Sequence, residues 1–310
     1  MSVDISKIKK IKSKQLTSEQ KKEVIQNLSL MNDKVLEIVF ANEQNKSIME
    51  DIANSLRKIH SLPSIPPIKS IIVQKSTIKG NIFGKKMVAD ITGKGVGIAI
   101  AFEAQKRKQI DFAVRGTISA SNITRDGLLA GEKYELAPMA IGINIIDFLM
   151  PELSNAPSFC SRIVRANYDT GEHFLAEKYS EYYIELPKLP KDKNEVPKQY
   201  QELWEICLIF KSKLKEYKEV INMIEALSAK GLAEAAMIAL EENPEVSEVY
   251  SDEELEELYY ECIEFGKAQG VQEGFHQAKL ALAKKLLDSG MPLEVVAELI
   301  ELTLEEINAQ

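Results

Sequence analysis

The sequence predicts a mixed α/β sheet flanked by helices, followed by an all-helical C-terminal extension. Three observations predict it. Ile98, Ile100 and Phe102 alternate with Ala99, Ala101 and Glu103 just after a glycine-rich reversal, the period of a strand. A stretch that reads as helix, about Ile110–Ala130, then leads to the apolar segment Met139–Ile146, as a crossover helix leads to a buried strand. Beyond residue 200 the apolar residues recur every three or four positions, with glutamate-rich outer faces.

The elements follow in order. Residues 1–30 form a basic leader in which Thr17-Ser-Glu-Gln20 matches a capping box and predicts a short helix. A second helix covers about Asp33–Ala41. A third starts near Asn45, with Ile48, Ile52, Leu56 and Ile59 at helical spacing, and Pro63, Pro66 and Pro67 end it. Ile71-Ile72-Val73 is the first strand, and the hairpin around residues 90–105 supplies two more. Tyr182–Leu186 is expected at the edge of the sheet. Pro187–Pro197 is proline-rich, charged and aperiodic, which predicts a linker. Helices are expected over Tyr200–Lys218, Glu219–Glu241, Glu253–Leu287 and Leu293–Leu299, with Ser289-Gly290-Met-Pro292 as a break. The organisation expected is 1–30, then an α/β domain over 31–190, then an acidic helical extension over 191–310.

Composition excludes several classes. Hydrophobic residues make up 45% and charged residues 28% of the 310-residue chain, ordinary for a globular protein with a sizeable core. Cys160, Cys207 and Cys262 are isolated and His60, His173 and His276 lack ligand-like spacing, so neither a zinc site nor a disulfide framework is expected. No signal peptide is visible, and the longest apolar stretch, Ala137–Met150, contains Asn144 and Asp147 and is too short to cross a bilayer. A cytoplasmic protein without membrane partners is expected. The net charge of −8 divides unevenly: residues 1–200 hold 30 Lys and Arg against 23 Asp and Glu, residues 201–310 hold 9 against 24. The basic part also contains Lys106-Arg107-Lys108 and Arg115, which suits a polyanionic partner.

The chemistry-bearing residues lie on the hairpin. Strand parity places Glu103 and Gln105 on one face, opposite Ile98, Ile100 and Phe102. A reversal centred on Val96-Gly97 sets Asp90 across from Glu103; a turn at Lys94-Gly95 would instead oppose Asp90 to Ala99. Facing carboxylates repel and need a compensating charge, which a divalent, oxygen-loving cation supplies.

These residues carry a resemblance. The order Asp90…Glu103-x-Gln105 resembles the Rpn-type recombination-promoting nucleases and transposases of the PD-(D/E)xK superfamily, most of which have Glu-x-Lys. Asn32–Phe40 with Asn45-Lys46, Gly131–Pro138 running into Ile141–Ile145, Ile184–Lys188 and the tail Leu282–Ile307 are similar to that family's motifs in the same order. The chain departs from it at Glu37, usually basic, at Ile118 and Ser119, where tyrosines are usual, and in a hairpin one residue short. The resemblance implies a restriction-endonuclease-like mixed sheet and a metal-dependent DNA endonuclease. In it Asp90 and Glu103 would hold Mg²⁺ or Mn²⁺ with the Ala104 carbonyl, and Gln105 would orient the water or a phosphate oxygen. Asp33, a residue type that also caps helices, and Glu37 are accessory metal candidates. Lys106, Arg107, Lys108 and Arg115 are candidate DNA contacts. The helical tail is a candidate for self-association, and a catalytically inactive DNA-binding or assembly module is the alternative reading.

Overall fold

A computed structural model describes residues 22, 25–73, 90–106, 112–126, 128, 131–174, 178–247 and 273–308. The predicted capping box at Thr17, residues Arg107 and Lys108, the segment 253–272 and Cys262 lie outside them. The chain divides into two compact bodies, one comprising residues 29–212 and 216–239, the other residues 1–28, 213–215 and 240–310.

The first body opens with helix α1 (Asp33–Ala41). Its cap is Asn32, whose side chain accepts from the Lys34 and Val35 amides, so Asp33 is freed from the capping role its residue type suggested. Helix α2 (Lys46–Ile59) buries Ile48, Ile52, Leu56 and Ile59, the stripe its spacing predicted. Strands β1 (Ile68–Val73), β2 (Ile91–Gly95) and β3 (Ile98–Gln105) form an antiparallel ribbon. Helix α3 (Phe112–Asp126) crosses over to β4 (Met139–Ile146), which pairs parallel with β3. Strands β5 (Cys160–Ile163) and β6 (Tyr179–Glu185) complete a six-stranded sheet in the order β1-β2-β3-β4-β6-β5.

The sheet is sandwiched. On one face Phe102 meets Phe40 of α1 at 5.3 Å between ring centres, and Phe210, in the helix Gln201–Lys211 that comes after the sheet, at 6.0 Å. On the other face Ala99 and Ala101 pack with Ile123 of α3 and Ala140 of β4. The face that carries Glu103 is therefore also covered, by α3. Gly93 of β2 leaves room for the close seat of α2, because a Cβ there would run into the Met49 sulfur.

Three expectations require correction, the first two in and after the sheet. Tyr182–Leu186 does not form an edge: β6 pairs with β4 on one side and with the short strand β5 on the other. Its burial on both faces, with Tyr182, Tyr183 and Ile184 nearly inaccessible, agrees with an interior strand. Pro187–Pro197 is not a loose tether either. Leu189 and Val196 are buried, Trp204 Nε1 donates to the Pro190 carbonyl at 2.9 Å, and Lys188 Nζ donates to the carbonyls of Leu153 (2.8 Å) and Ala156 (3.1 Å). The prolines and charges suit extended turns, and the intervening apolar side chains anchor them.

Helices α4 (Gln201–Lys211), α5 (Tyr217–Met223) and α6 (Leu227–Glu242) follow. The single helix expected over Glu219–Glu241 is broken because the buried Glu205 carboxylate accepts from the Glu225 (2.8 Å) and Ala226 (2.6 Å) amides, capping a new start. In the second body, α7 (Glu273–Asp288), α8 (Leu293–Ile300) and α9 (Leu304–Asn308) share a core built on Leu282, Leu286, Val296, Ile300 and Ile307. Gly290, with φ +94°, ends α7 as predicted. Among the described residues no helix is long and apolar enough to cross a membrane.

Candidate active site

The β2–β3 register decides the site. Gly95 pairs with Ile98 and Ile91 with Phe102, so Val96-Gly97 is the turn and Lys94-Gly95 is not. Gly97 takes φ +71°, a conformation costly for a residue with a Cβ. One step along the ladder from Ile91, Asp90 comes opposite Glu103. Both carboxylates reach one guanidinium: Arg115 of α3 places Nε 3.2 Å from Glu103 Oε2 and Nη2 3.5 Å from Asp90 Oδ1.

Glu103 is held from two sides. It is 1% exposed, and Ser119 Oγ donates to its Oε1 at 2.8 Å. Its Oε2 is buried and accepts no hydrogen bond among the described residues. Burial pushes the Glu103 carboxyl upward, while Arg115 and the Ser119 hydroxyl pull it back. Asp90 is driven well above the usual carboxylate range, chiefly by burial, then by the negative charges of Glu103 and Asp33; Arg115 and the Ala104 amide oppose this. The Ala104 backbone thus lies beside the Asp90 carboxyl.

The remaining predicted residues fall as follows. Asp33, exposed at the start of α1, is close enough for its charge to act on Asp90. Glu37 pairs with Lys34 at 3.5 Å on the same helix. Gln105 is half-buried at the end of β3, on the Glu103 face, and Lys106 is exposed beyond it.

The sequence reading missed a second polar cluster on the same face. The Glu181 carboxylate, 3% exposed, accepts from Tyr179 Oη (2.6 Å), Tyr183 Oη (2.8 Å) and Thr117 Oγ1 (3.3 Å). The parallel ladders set Tyr183 beside Asn144 and Asn144 beside Glu103. Gly116 lets α3 lie directly on this row: a Cβ there would be 2.5 Å from Tyr183 Oη. Ser119 was visible only as a missing tyrosine. Its position four residues after Arg115, on one helical face, was the signal that the two act together.

The donor set fits a small, hard divalent cation. Two carboxylates converge, one oxygen lacks a hydrogen bond, and Arg115 offsets one of the two negative charges. Among the described residues no group of three or more Asp, Glu, His or Cys side chains converges, so further ligands would be backbone, solvent or substrate oxygens.

A sequence model of the family described as PD-(D/E)XK nuclease family transposase matches residues 30–260. Neither a curated protein nor a solved structure matches the chain. PD-(D/E)XK nucleases generally use divalent metals, in accord with the paired carboxylates. With most of its length matched, and a six-stranded mixed sheet that carries Glu103 on β3 and Asp90 immediately before β2, the chain belongs to the PD-(D/E)XK nuclease family transposases.

Proposed function

We propose that this protein is a metal-dependent DNA endonuclease that hydrolyses phosphodiester bonds during recombination or transposition. The observation that carries the reading is the convergence of Asp90 and Glu103 on a single cationic position beneath α3. Asp90, Glu103 and the Ala104 carbonyl would hold Mg²⁺ or Mn²⁺, with Asp33 as an outlying carboxylate. The bound ion would polarise the scissile phosphate and lower the pKa of its water.

The chain's own residues divide the remaining work. Ser119 keeps the Glu103 carboxylate oriented through Oε1 and leaves Oε2 for the cation. Gln105 stands where most of the superfamily has lysine; its amide can donate to a phosphate oxygen or orient the attacking water, but it carries no charge. Positive charge for the phosphate comes from Arg115 and from Lys106, with Arg107 and Lys108 following in sequence. Cys160 and Cys207 are free and buried, which suits action on DNA in a reducing, cytoplasmic setting. The helical C-terminal region serves self-association in this reading.

Nicking of supercoiled plasmid by purified protein tests it. Mg²⁺-dependent conversion to open circles is expected, with Asp90→Ala and Glu103→Gln each at least about a thousandfold slower, as for loss of a principal electrostatic group. Equal cleavage by all three proteins would remove the assignment. A second reading, a DNA-binding or assembly module without turnover, draws on the guanidinium already lodged between the carboxylates and on Gln105. It predicts salt-sensitive DNA binding with no cleavage under any divalent ion.

A further inference from the structure

We propose that Arg115 is an exchangeable counter-ion, occupying the metal-binding position between Asp90 and Glu103 until a divalent cation displaces it toward the substrate. The inference rests on the nuclease reading above and specifies how its centre is loaded.

The guanidinium makes the contacts a metal would need. It is 3.2 Å from Glu103 Oε2 through Nε and 3.5 Å from Asp90 Oδ1 through Nη2. Glu103 Oε1 is engaged by Ser119, so Oε2 is the oxygen for which the arginine and an incoming ion compete. Both cations cannot share that oxygen, because two positive charges at van der Waals distance repel strongly in a poorly solvated site.

The surroundings also permit exchange. The Arg115 side chain is 26% exposed, whereas that of Glu103 is 2% exposed, so the cation has a route to solvent while the carboxylate does not. The helix carrying Arg115 is seated on Tyr183 at Gly116, so the movement falls to the arginine's rotatable side chain and not to the backbone. Once displaced, the guanidinium stands beside the loaded centre, where a phosphodiester brings the negative charge it has lost. One residue thereby balances the carboxylates before loading and the phosphate after it.

Metal affinity without DNA is the readout. Mn²⁺ would be titrated calorimetrically into EDTA-stripped full-length wild-type protein and the variants Arg115→Gln, Arg115→Lys and Asp90→Asn. Arg115→Gln is expected to bind Mn²⁺ at least about fivefold tighter than wild type, the lower end of a typical coupling between two competing ligands. Arg115→Lys is expected between the two, since a compact ammonium does not span both carboxylates as the planar fork does. Asp90→Asn is expected to lose the site. Equal or weaker binding by Arg115→Gln, with binding still lost in Asp90→Asn, would overturn the exchange and leave the nuclease reading standing. Absence of any Asp90-dependent Mn²⁺ binding would overturn both. If Arg115→Gln does not fold, Arg115→Lys decides: affinity equal to wild type rejects the exchange.

Discussion

At the scale of single residues, Asp90 is kept against its own electrostatic preference. It is partly buried beside Glu103 and within reach of the Asp33 charge, while Arg115 balances only one of the two hairpin carboxylates. Removing a buried charge that lacks a full partner stabilises a fold, and sites built for chemistry commonly carry this cost. Asp90→Asn leaves Arg115 and Glu103 matched one to one. In EDTA its melting temperature should exceed that of wild type by about 2–4 °C, the shift that roughly 1 kcal/mol produces in a protein this large. Adding Mn²⁺ should raise the melting temperature of wild type but not of the variant. Scanning calorimetry checks both, and a lower apo melting temperature for Asp90→Asn would show that the carboxylate is structural.

Helix α3 is the element that turns this pair of acids into a centre. It delivers Arg115 and Ser119 from one face, and its seat depends on Gly116 lying against Tyr183 Oη. Gly116→Ala gains helix propensity of about 1 kcal/mol, yet its methyl would sit 2.5 Å from that hydroxyl. Tyr183 cannot withdraw easily, since its ring packs edge-on to Phe112 and its hydroxyl is bonded to Glu181. Overpacking should therefore prevail, with a net destabilisation of roughly 1–3 kcal/mol in urea unfolding. Adding Tyr183→Phe should recover part of the loss, a coupling that two independent sites would not show. Much of this element-level picture was legible in the chain. The alternation around Phe102 gave the face of Glu103, because strand parity is a local property, but two turns remained open in sequence and the β2–β3 pairing decides for Val96-Gly97 over Lys94-Gly95. Strand β5 was not legible: Cys-Ser-Arg-Ile is too short to show a period, so β6 looked like the edge of the sheet. The Glu181 cluster was hidden for a different reason. Tyr179 and Tyr183 stand two residues to either side of Glu181 on β6, but Thr117 reaches it only through the α3 crossover, and the row with Asn144 and Glu103 forms only through the parallel ladders, contacts between residues distant in sequence. Composition misled at Pro187–Pro197, where turn residues mark irregular backbone but say nothing of whether it is packed.

Over the whole molecule, charge is distributed against the overall sign. Residues 1–200 carry an excess of 30 basic over 23 acidic groups although the net charge is −8, and the candidate centre lies in that basic part. Contacts with phosphates release counter-ions, so affinity for a DNA duplex should fall roughly 10- to 150-fold between 50 and 200 mM salt if about two to four phosphates are neutralised. Fluorescence anisotropy in EDTA measures this without cleavage, and affinity indifferent to salt would argue against a phosphate-tracking surface. The strap from residue 187 to 197 adds a mechanical consequence. It is fastened to Trp204 of α4 at one carbonyl and to the Leu153–Ala156 turn through Lys188, and it continues directly from β6. A pull on α4 therefore meets no slack: tension passes along the strap into the strand whose Tyr183 and Glu181 bed the arginine-bearing helix, so load applied at α4 reaches the candidate centre.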